Sequence, residues 1–232
     1  MFPIEIKDLY YRYSGKEENI LDGVSLEVKE GEVVGIVGLS GCGKSTLCYC
    51  VNGLIPQIYK GELKGEVLIF GSPVREMRIA DIATRVGTVF QDPDTQLFSP
   101  TVEDEVAFGP ENLCLEREEI GRRITAALEQ VGMSAHRFAS TDQLSGGQKQ
   151  LIAIASVLSL QPDVLIFDEI MSQIDRTGRR RIKEVIKGLK KSGKTILMVE
   201  HNLSNLDIDN NIADRVMVMR KGKLADFTGE LE

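Results

Sequence analysis

Three short stretches hold residue types that could do chemistry. GLSGCGKST, residues 38–46, fits the spacing G-x-x-x-x-G-K-[ST]. Glycines there let backbone N–H groups turn inward around phosphate oxygens, and a helix opening behind them adds a favourable dipole. The ammonium of Lys44 would neutralise β- and γ-phosphate charge, and the hydroxyl of Ser45 can ligate Mg²⁺. VLIFDE, residues 164–169, delivers Asp168 at the C-terminal end of an apolar strand with Glu169 next in line. Asp168 suits a metal held through water, and Glu169 suits a general base that polarises an attacking water. Beside a phosphate loop, this reading outweighs the plainer one of a strand-end acid capping the next helix. The third stretch, QLSGGQKQ (143–150), has no metal ligand, no cysteine or histidine, and no base beside its one hydroxyl; two adjacent glycines interrupt the start of a helix.

Holding such groups together takes strands that end at a common edge. VVGIVG (33–38) is a short apolar run closed by glycine, and VGTVF (86–90), DVLIFD (163–168) and TILMVE (195–200) match it in kind. All four read as buried parallel strands, whereas residues 4–9 and 24–28 alternate apolar and polar. Ile120, Ile124, Leu128 and Val131 repeat at helical spacing, as do Ile182, Val185, Ile186 and Leu189. The alternation of the two periods predicts an α/β fold. The basic residues of RRRIKEVIKGLKK (179–191) fall mostly opposite the second stripe and read as a solvated helix face.

Composition narrows the function. With 232 residues and 42% hydrophobic content the chain can bury a core, and its 28 basic against 35 acidic residues leave a net charge of -7. That balance argues against a surface built for nucleic-acid backbone. Cys42, Cys48, Cys50 and Cys114 form no C-x-x-C pair and read as reduced thiols of a cytoplasmic protein, with zinc disfavoured. The N-terminus carries charge too early for a secretory signal. The apolar run LIAIASVLSL is about half of what a spanning helix needs.

LSGGQ, taken with the phosphate loop, Asp168–Glu169, Gln91 after the strand at 86–90 and His201 after the strand at 195–200, resembles the ATP-binding-cassette ATPases over essentially the whole chain. The resemblance implies a single nucleotide-binding domain over 1–232. Its core would be of the P-loop NTPase kind with a mostly parallel sheet, an N-terminal antiparallel β subdomain, and an inserted helical subdomain at about 92–160. The cofactors it implies are ATP and Mg²⁺. Gly38, Ser40, Gly41, Cys42, Gly43, Lys44, Ser45 and Thr46 would hold the nucleotide, and Ser45, Gln91 and Asp168 the metal. Glu169, His201 and Gln91 would be catalytic, and Tyr13 would stack on adenine, with Tyr10 and Tyr11 close by. The signature, 144–148, acts across subunits in that family. Ser145, Gly146, Gly147 and Gln148 would grip the γ-phosphate of a partner from a helix beginning near Gln148, and Asp175 would contact the partner. The chain departs from the family at Ile170 and Met171, where proline and threonine are common, and at Leu151, where arginine is common. These departures question the rigidity of the loop after Glu169 and the rate of hydrolysis.

QDPDTQLFSPTVEDEVAFGPEN (91–112) and NGLIPQIYKGELKGEV (52–67) resemble ATPases of energy-coupling-factor importers and their cobalt and nickel relatives. That branch implies uptake of vitamins or transition-metal ions. The partners would be a second, identical or homologous ATPase subunit, a transmembrane coupling protein and a substrate-binding membrane subunit. The site of action would be the cytoplasmic face of the cell membrane, with no nucleic-acid partner. Leu97, Phe98, Val102 and Phe108 would lie near the coupling protein, at least two of them packed inward, with Glu103, Asp104 or Glu105 pairing to its basic helices. The competing expectations are an ABC ATPase of another transporter class, or a soluble one acting on DNA or ribosomes. The sequence contains neither the long coiled coils nor the second cassette expected of the latter. A P-loop kinase or GTPase does not account for LSGGQ. The ending soon after Leu224 reads as a short form or one half of a tandem ATPase, with Leu231-Glu232 as a cloning scar.

Overall fold

The two strand patterns of the sequence become two sheets in the computed structural model, which describes residues 2–206 and 212–229. The chain forms β1 (Ile4–Tyr13), β2 (Leu21–Val28), β3 (Val33–Val37), α1 (Lys44–Val51), α2 (Leu54–Gln57), β4 (Gly61–Ile69) and β5 (Ser72–Pro73). After α3 (Ile79–Ala83) and β6 (Val86–Val89) come α4 (Pro93–Gln96), α5 (Val102–Asn112), α6 (Arg117–Gln130) and α7 (Gly146–Leu158). Then follow β7 (Val164–Asp168), α8 (Arg176–Lys191), β8 (Thr195–Glu200), α9 (Leu203–Leu206), β9 (Arg215–Arg220) and β10 (Lys223–Asp226). The Leu231-Glu232 ending lies outside the described residues.

One sheet, in the order β2-β1-β4-β5, is antiparallel and carries the alternating strands. The other runs β10-β9-β3-β8-β7-β6, parallel except for its edge strand β10. The continuous apolar runs belong here because both faces of a parallel sheet are covered, so every residue meets a core. Successive side chains divide between the two faces as the pleat requires. Val33, Val37, Leu165, Phe167, Ile196 and Met198 pack in one cluster with α5–α8. Val34, Ile36, Val164, Ile166, Leu197 and Val199 pack in another with α1 and the antiparallel sheet. At Gly35 even a Cβ would come within 2.5 Å of Leu206 Cδ1, so glycine lets α9 lie directly on β3.

In α8, Ile182, Ile186 and Leu189 are buried as the spacing predicts. Its basic face is less purely solvated than the sequence reading has it. Arg179 donates to Ile174 O at 2.6 Å and Lys183 to Ser204 O at 2.7 Å, while Arg180, Arg181 and Lys191 are exposed. None of the described helices is long and apolar enough to cross a membrane.

Two buried acids have opposite fortunes. Glu105, in the first turn of α5, accepts from Phe98 N at 3.0 Å and Ser99 N at 2.8 Å through Oε2, and so fastens the loop before its own helix. Glu200, the last residue of β8, accepts from Asn205 Nδ2 at 2.9 Å, while its buried Oε1 has no partner among the described residues. Burial pushes this carboxyl from 4.5 up to about 7; Glu169 and Asp168 add to the rise, and Asn205 and Arg179 oppose it. Between those two values the folded chain keeps a proton that the unfolded chain has released. The resulting stabilisation is complete at low pH and is lost as pH rises through about 7, a swing on the order of 3 kcal/mol. Glu200→Gln keeps a partner for Asn205 and removes the charge. Thermal unfolding of the nucleotide-free protein is therefore expected several degrees higher for Glu200→Gln than for wild type at pH 8, with the gain vanishing near pH 5. A gain of equal size at both pH values would show that the carboxyl does not titrate in this way.

Candidate functional site

The register of the parallel strands places the candidate residues side by side. Val37 pairs with Glu200, Asp168 with Val199, and Val89 with Phe167, so β3, β8, β7 and β6 end in one row. Gly38, His201, Glu169 and Gln91 all lie within two residues of those ends.

Between β3 and α1 the chain turns on glycines. A Cβ at Gly38 would meet Met219 O at 2.4 Å and Cys42 Sγ at 2.6 Å. Gly43, the cap residue of α1, has φ 113°, and a Cβ there would sit 2.7 Å from Ile20 O. No side chain caps α1, so its first N–H groups stay available to a ligand. Lys44 is buried, and its Nζ donates to Gly38 O at 2.8 Å and Leu39 O at 3.2 Å. The same ammonium lies 3.2 Å from Glu169 Oε1.

Glu169 Oε2 in turn lies 2.8 Å from His201 Nε2, and His201 Nδ1 lies 3.2 Å from Gly38 O. Both ring nitrogens thus face acceptor oxygens; a neutral ring can satisfy one of them and a cation both. The backbone of Glu169 is left-handed at φ 53°, held by its N–H to Val199 O at 2.9 Å and by Ser172 N to its own carbonyl at 3.0 Å. Such a conformation costs on the order of 1 kcal/mol for a residue with a Cβ. Its neighbours Ile170 and Met171 are fully buried in the core, so packing pins the loop at the positions where the sequence departs from the family's proline and threonine. Leu151, the other departure, is also buried core, on α7.

Ser45 Oγ donates to Asp168 Oδ1 at 3.2 Å. Burial raises the Asp168 carboxyl above its ordinary range and Glu169 adds to this, against the hydrogen bond from Ser45 and the charge of Lys44. Two hard oxygen donors facing each other beside a phosphate-type loop fit a divalent cation such as Mg²⁺, and the glycine cradle with Lys44 fits a nucleotide phosphate. Tyr13 OH lies 3.1 Å from Thr46 Oγ1, and the Tyr13 ring stands edge-on to Tyr11 with centroids 4.8 Å apart. A cavity of about 450 Å³ opens beside the loop, lined by Gly38, Ser40, Gly41, Cys42 and His201 with the β9–β10 turn.

Gln91 is exposed and donates through Nε2 to Ser172 Oγ at 3.2 Å, so its contact is with the loop after Glu169 and not with Ser45 or Asp168. Two glutamines with no prior sign in the sequence hold the residue before it. Phe90 N donates to Gln96 Oε1 at 3.0 Å, and Gln150 Nε2 donates to Phe90 O at 3.1 Å.

The signature residues form a separate cluster. Ser145 is the cap of α7: its Oγ accepts from Gln148 N at 3.3 Å while Ser145 N donates to Gln148 Oε1 at 2.9 Å. The helix therefore begins at Gly146, two residues before the expected start near Gln148. The Ser-x-x-Gln spacing is the signal that places it there. Asp175 caps α8 in the same manner, accepting from Gly178 N at 2.9 Å. A Cβ on Gly178 would lie 3.4 Å from Gly147 Cα, so two helix N-termini converge with Ser145, Gly147, Asp175 and Arg181 around a cavity of about 200 Å³. Among the described residues no hydrogen bond joins 145–148 to 38–46, and the two cavities share no lining residue.

Comparison with known proteins places the chain in a family. The family model for ABC transporters matches residues 21–172. A Methanosarcina acetivorans protein provisionally named an ABC transporter ATP-binding protein is 50% identical over 222 residues, covering 95% of this chain and 34% of that protein. The chain thus spans about a third of the length of that relative. The energy-coupling factor transporter ATP-binding protein EcfA of Methanocaldococcus jannaschii is 40% identical over 226 residues, covering 97% of this chain and 78% of the relative. The structure of cbiO1 from Clostridium perfringens, part of the ABC transporter complex cbiONQ, superposes with a TM-score of 0.85 at 36% identity, covering 97% of this chain and 87% of that one. With the phosphate loop, the Asp168–Glu169 pair and the signature helix in place, the chain belongs to the ABC transporter family as one of its ATPase domains.

Proposed function

We propose that this chain is the ATP-hydrolysing subunit of an energy-coupling-factor type importer for vitamins or transition-metal ions, acting at the cytoplasmic face of the membrane. The observation that carries the reading is the single network that joins Lys44, Glu169 and His201 to the glycine loop, with Ser45 and Asp168 beside it. The likeness to EcfA and to the cbiO1 structure supports the branch.

ATP supplies a γ-phosphoryl group with a strongly favourable hydrolysis, and Mg²⁺ lowers the cost of gathering its charge. The N–H groups of residues 41–46 and the Lys44 ammonium bind the phosphates, Tyr13 supports the base, and Ser45 and Asp168, with Gln91 at the rim, hold the cation. Glu169 accepts the proton of the attacking water, and His201, anchored to Gly38 O, sets the carboxylate's direction. A proton acceptor held between a cation and an imidazole is positioned before the reaction starts, which lowers the reorganisation required.

The γ-phosphate completes its shell on a second subunit. Ser145 uses a lone pair for its cap and keeps its O–H to donate; Gly146 and Gly147 add backbone N–H groups at the positive end of α7. Because these groups sit apart from the chain's own loop, two subunits facing each other make two sites, and closure of the dimer on ATP is the force-producing step.

The partner in the membrane is a coupling protein. Phe98 is 64% exposed and Phe108 46%, and their rings meet edge-to-face at 4.6 Å, while Val102 is buried and Leu97 partly so. The acids between them already have contacts within the chain. Glu105 is spent on two backbone donors, Glu103 pairs with Arg137 at 2.6 Å, and Asp104 accepts from the capping Thr101. The aromatic pair, rather than those acids, is the anchor this surface offers, of the kind that dominates interface energetics.

Three outcomes are expected. Glu169→Gln should keep ATP binding yet lose hydrolysis by roughly 10²- to 10⁴-fold, whereas Lys44→Ala should weaken nucleotide binding itself. Turnover near wild type in Glu169→Gln would exclude it as the base. Mixing inert Lys44→Ala with inert Ser145→Arg protein should restore partial ATPase activity, since one site of the mixed dimer is intact; a mixture that dimerises but stays inactive would refute the signature's action in trans. Phe98→Ser with Phe108→Ser should abolish co-purification with the coupling protein and leave the ATPase of the free domain within about twofold, because exposed positions contribute little to the fold. An intact complex would move the docking surface elsewhere.

A further inference from the structure

His136 belongs to none of the motifs, yet it touches the signature. It sits in a short turn at 134–136, and its Nε2 lies 3.1 Å from Gln148 Nε2. The orientation of the Gln148 carboxamide is fixed independently, because Oε1 accepts from Ser145 N at 2.9 Å as the reciprocal half of the capping box. The amide therefore presents its NH₂ to the imidazole, and Nε2 must be the acceptor. The proton of the neutral ring then resides on Nδ1, which is buried and has no partner among the described residues. A second proton on the ring would set donor against donor at Nε2. Gln148 could answer it only by turning its oxygen away from Ser145 N, which undoes half of the box.

We propose that His136 is a positioning residue for the composite ATP site: as a hydrogen-bond acceptor it locks Gln148, and through Gln148 the Ser145 cap that aims the first N–H groups of α7 at a partner's phosphate. The proposal rests on the signature acting in trans. A capping box in solvent can exchange its glutamine rotamer freely; one whose amide is held at both ends cannot, and a phosphate-binding helix end needs that fixity. The ring opens onto a cavity that it shares with charged groups of two helices. Glu129 of α6 and Arg180, Arg181 and Glu184 of α8 line the same cavity of about 950 Å³, and Arg137 next in sequence is occupied by Glu103.

The test uses the Glu169→Gln protein, which should hold ATP without consuming it, and compares His136→Ala, His136→Gln and Ser145→Arg in that background. His136→Ala should leave Mg-ATP binding by the monomer unchanged, which also reports that the variant is folded. It should speed amide exchange over 144–150 and weaken ATP-driven dimerisation by about tenfold, the loss of one part-buried hydrogen bond at each site. His136→Gln offers a carbonyl acceptor in place of the ring nitrogen and should restore both readouts. Exchange and dimerisation in His136→Ala equal to the parent, or a His136→Gln protein that rescues neither readout, would overturn the proposal. If Ser145→Arg blocks dimerisation while His136→Ala does not, the positioning role alone is wrong. If Ser145→Arg dimerises normally on ATP, the in-trans reading falls and this proposal with it.

Discussion

Parallel pairing leaves the strands no choice about where their C-terminal ends lie. Once Val37 is opposite Glu200 and Asp168 opposite Val199, the residues that follow each strand share one edge whatever their separation in sequence. Lys44 and Glu169 are 125 positions apart, yet they meet at 3.2 Å because both elements are read out from that edge. The site is thus a property of register. A slip of one residue in β7 would turn Asp168 to the other face and put an apolar side chain opposite Ser45.

A second constraint is electrostatic. The strand ends bring Asp168, Glu169 and Glu200 into a region where burial raises the carboxyls of Asp168 and Glu200, and Lys44 is the balancing charge, with His201 against the other oxygen of Glu169. Removing one partner of such a group costs more than the pair contributes, because it leaves the other charge buried. Glu200 lies one residue before His201 and answers the same crowding by holding its proton to about pH 7. Its stability cost above that pH sits beside the candidate catalytic groups rather than elsewhere in the core, as expected where function sets the local chemistry.

Much of this was legible in the sequence for a plain reason: motifs of contiguous residues carry their own geometry. The phosphate loop needs glycine at 38 and 43 for close approach and positive φ, and the apolar runs at 33–37, 164–168 and 195–200 could only be buried strands. The strand β4 was not, since GELKGEVLI shows alternation only faintly and its pairing with β1 depends on a partner some fifty positions away and on an interrupted register at Lys7 and Tyr10. Side chains that serve the site through one or two isolated hydrogen bonds were equally hidden. Glu105, Gln96, Gln150 and His136 belong to no pattern, and their roles exist only once the helices have packed. The acids at 103–105 divide in a way the sequence does not show: Glu105 is buried and holds its own chain, while Asp104 stays exposed at the first turn of α5.

Helix α7 ties these threads into one body. Its N-terminal turn carries the Ser145 cap and the Gln148 amide, and two residues further on Gln150 reaches the carbonyl of Phe90, next to Gln91. The helix is continuous through 13 residues and most of its side chains are buried, so it moves as a unit if it moves at all. A force on its exposed end must either carry Phe90 O with it or break the bond from Gln150. The other oxygen-bearing end of that amide, Gln150 Oε1, is buried with no partner among the described residues, so a broken bond would leave a second unsatisfied group in the core. Carrying the loop is the cheaper outcome. Phe90 N is fastened in turn to Gln96, and the chain from there leads within two residues to Phe98. Under the dimer closure proposed above, these side-chain amides would form the hydrogen-bonded link between the signature and the segment that carries the exposed aromatic pair.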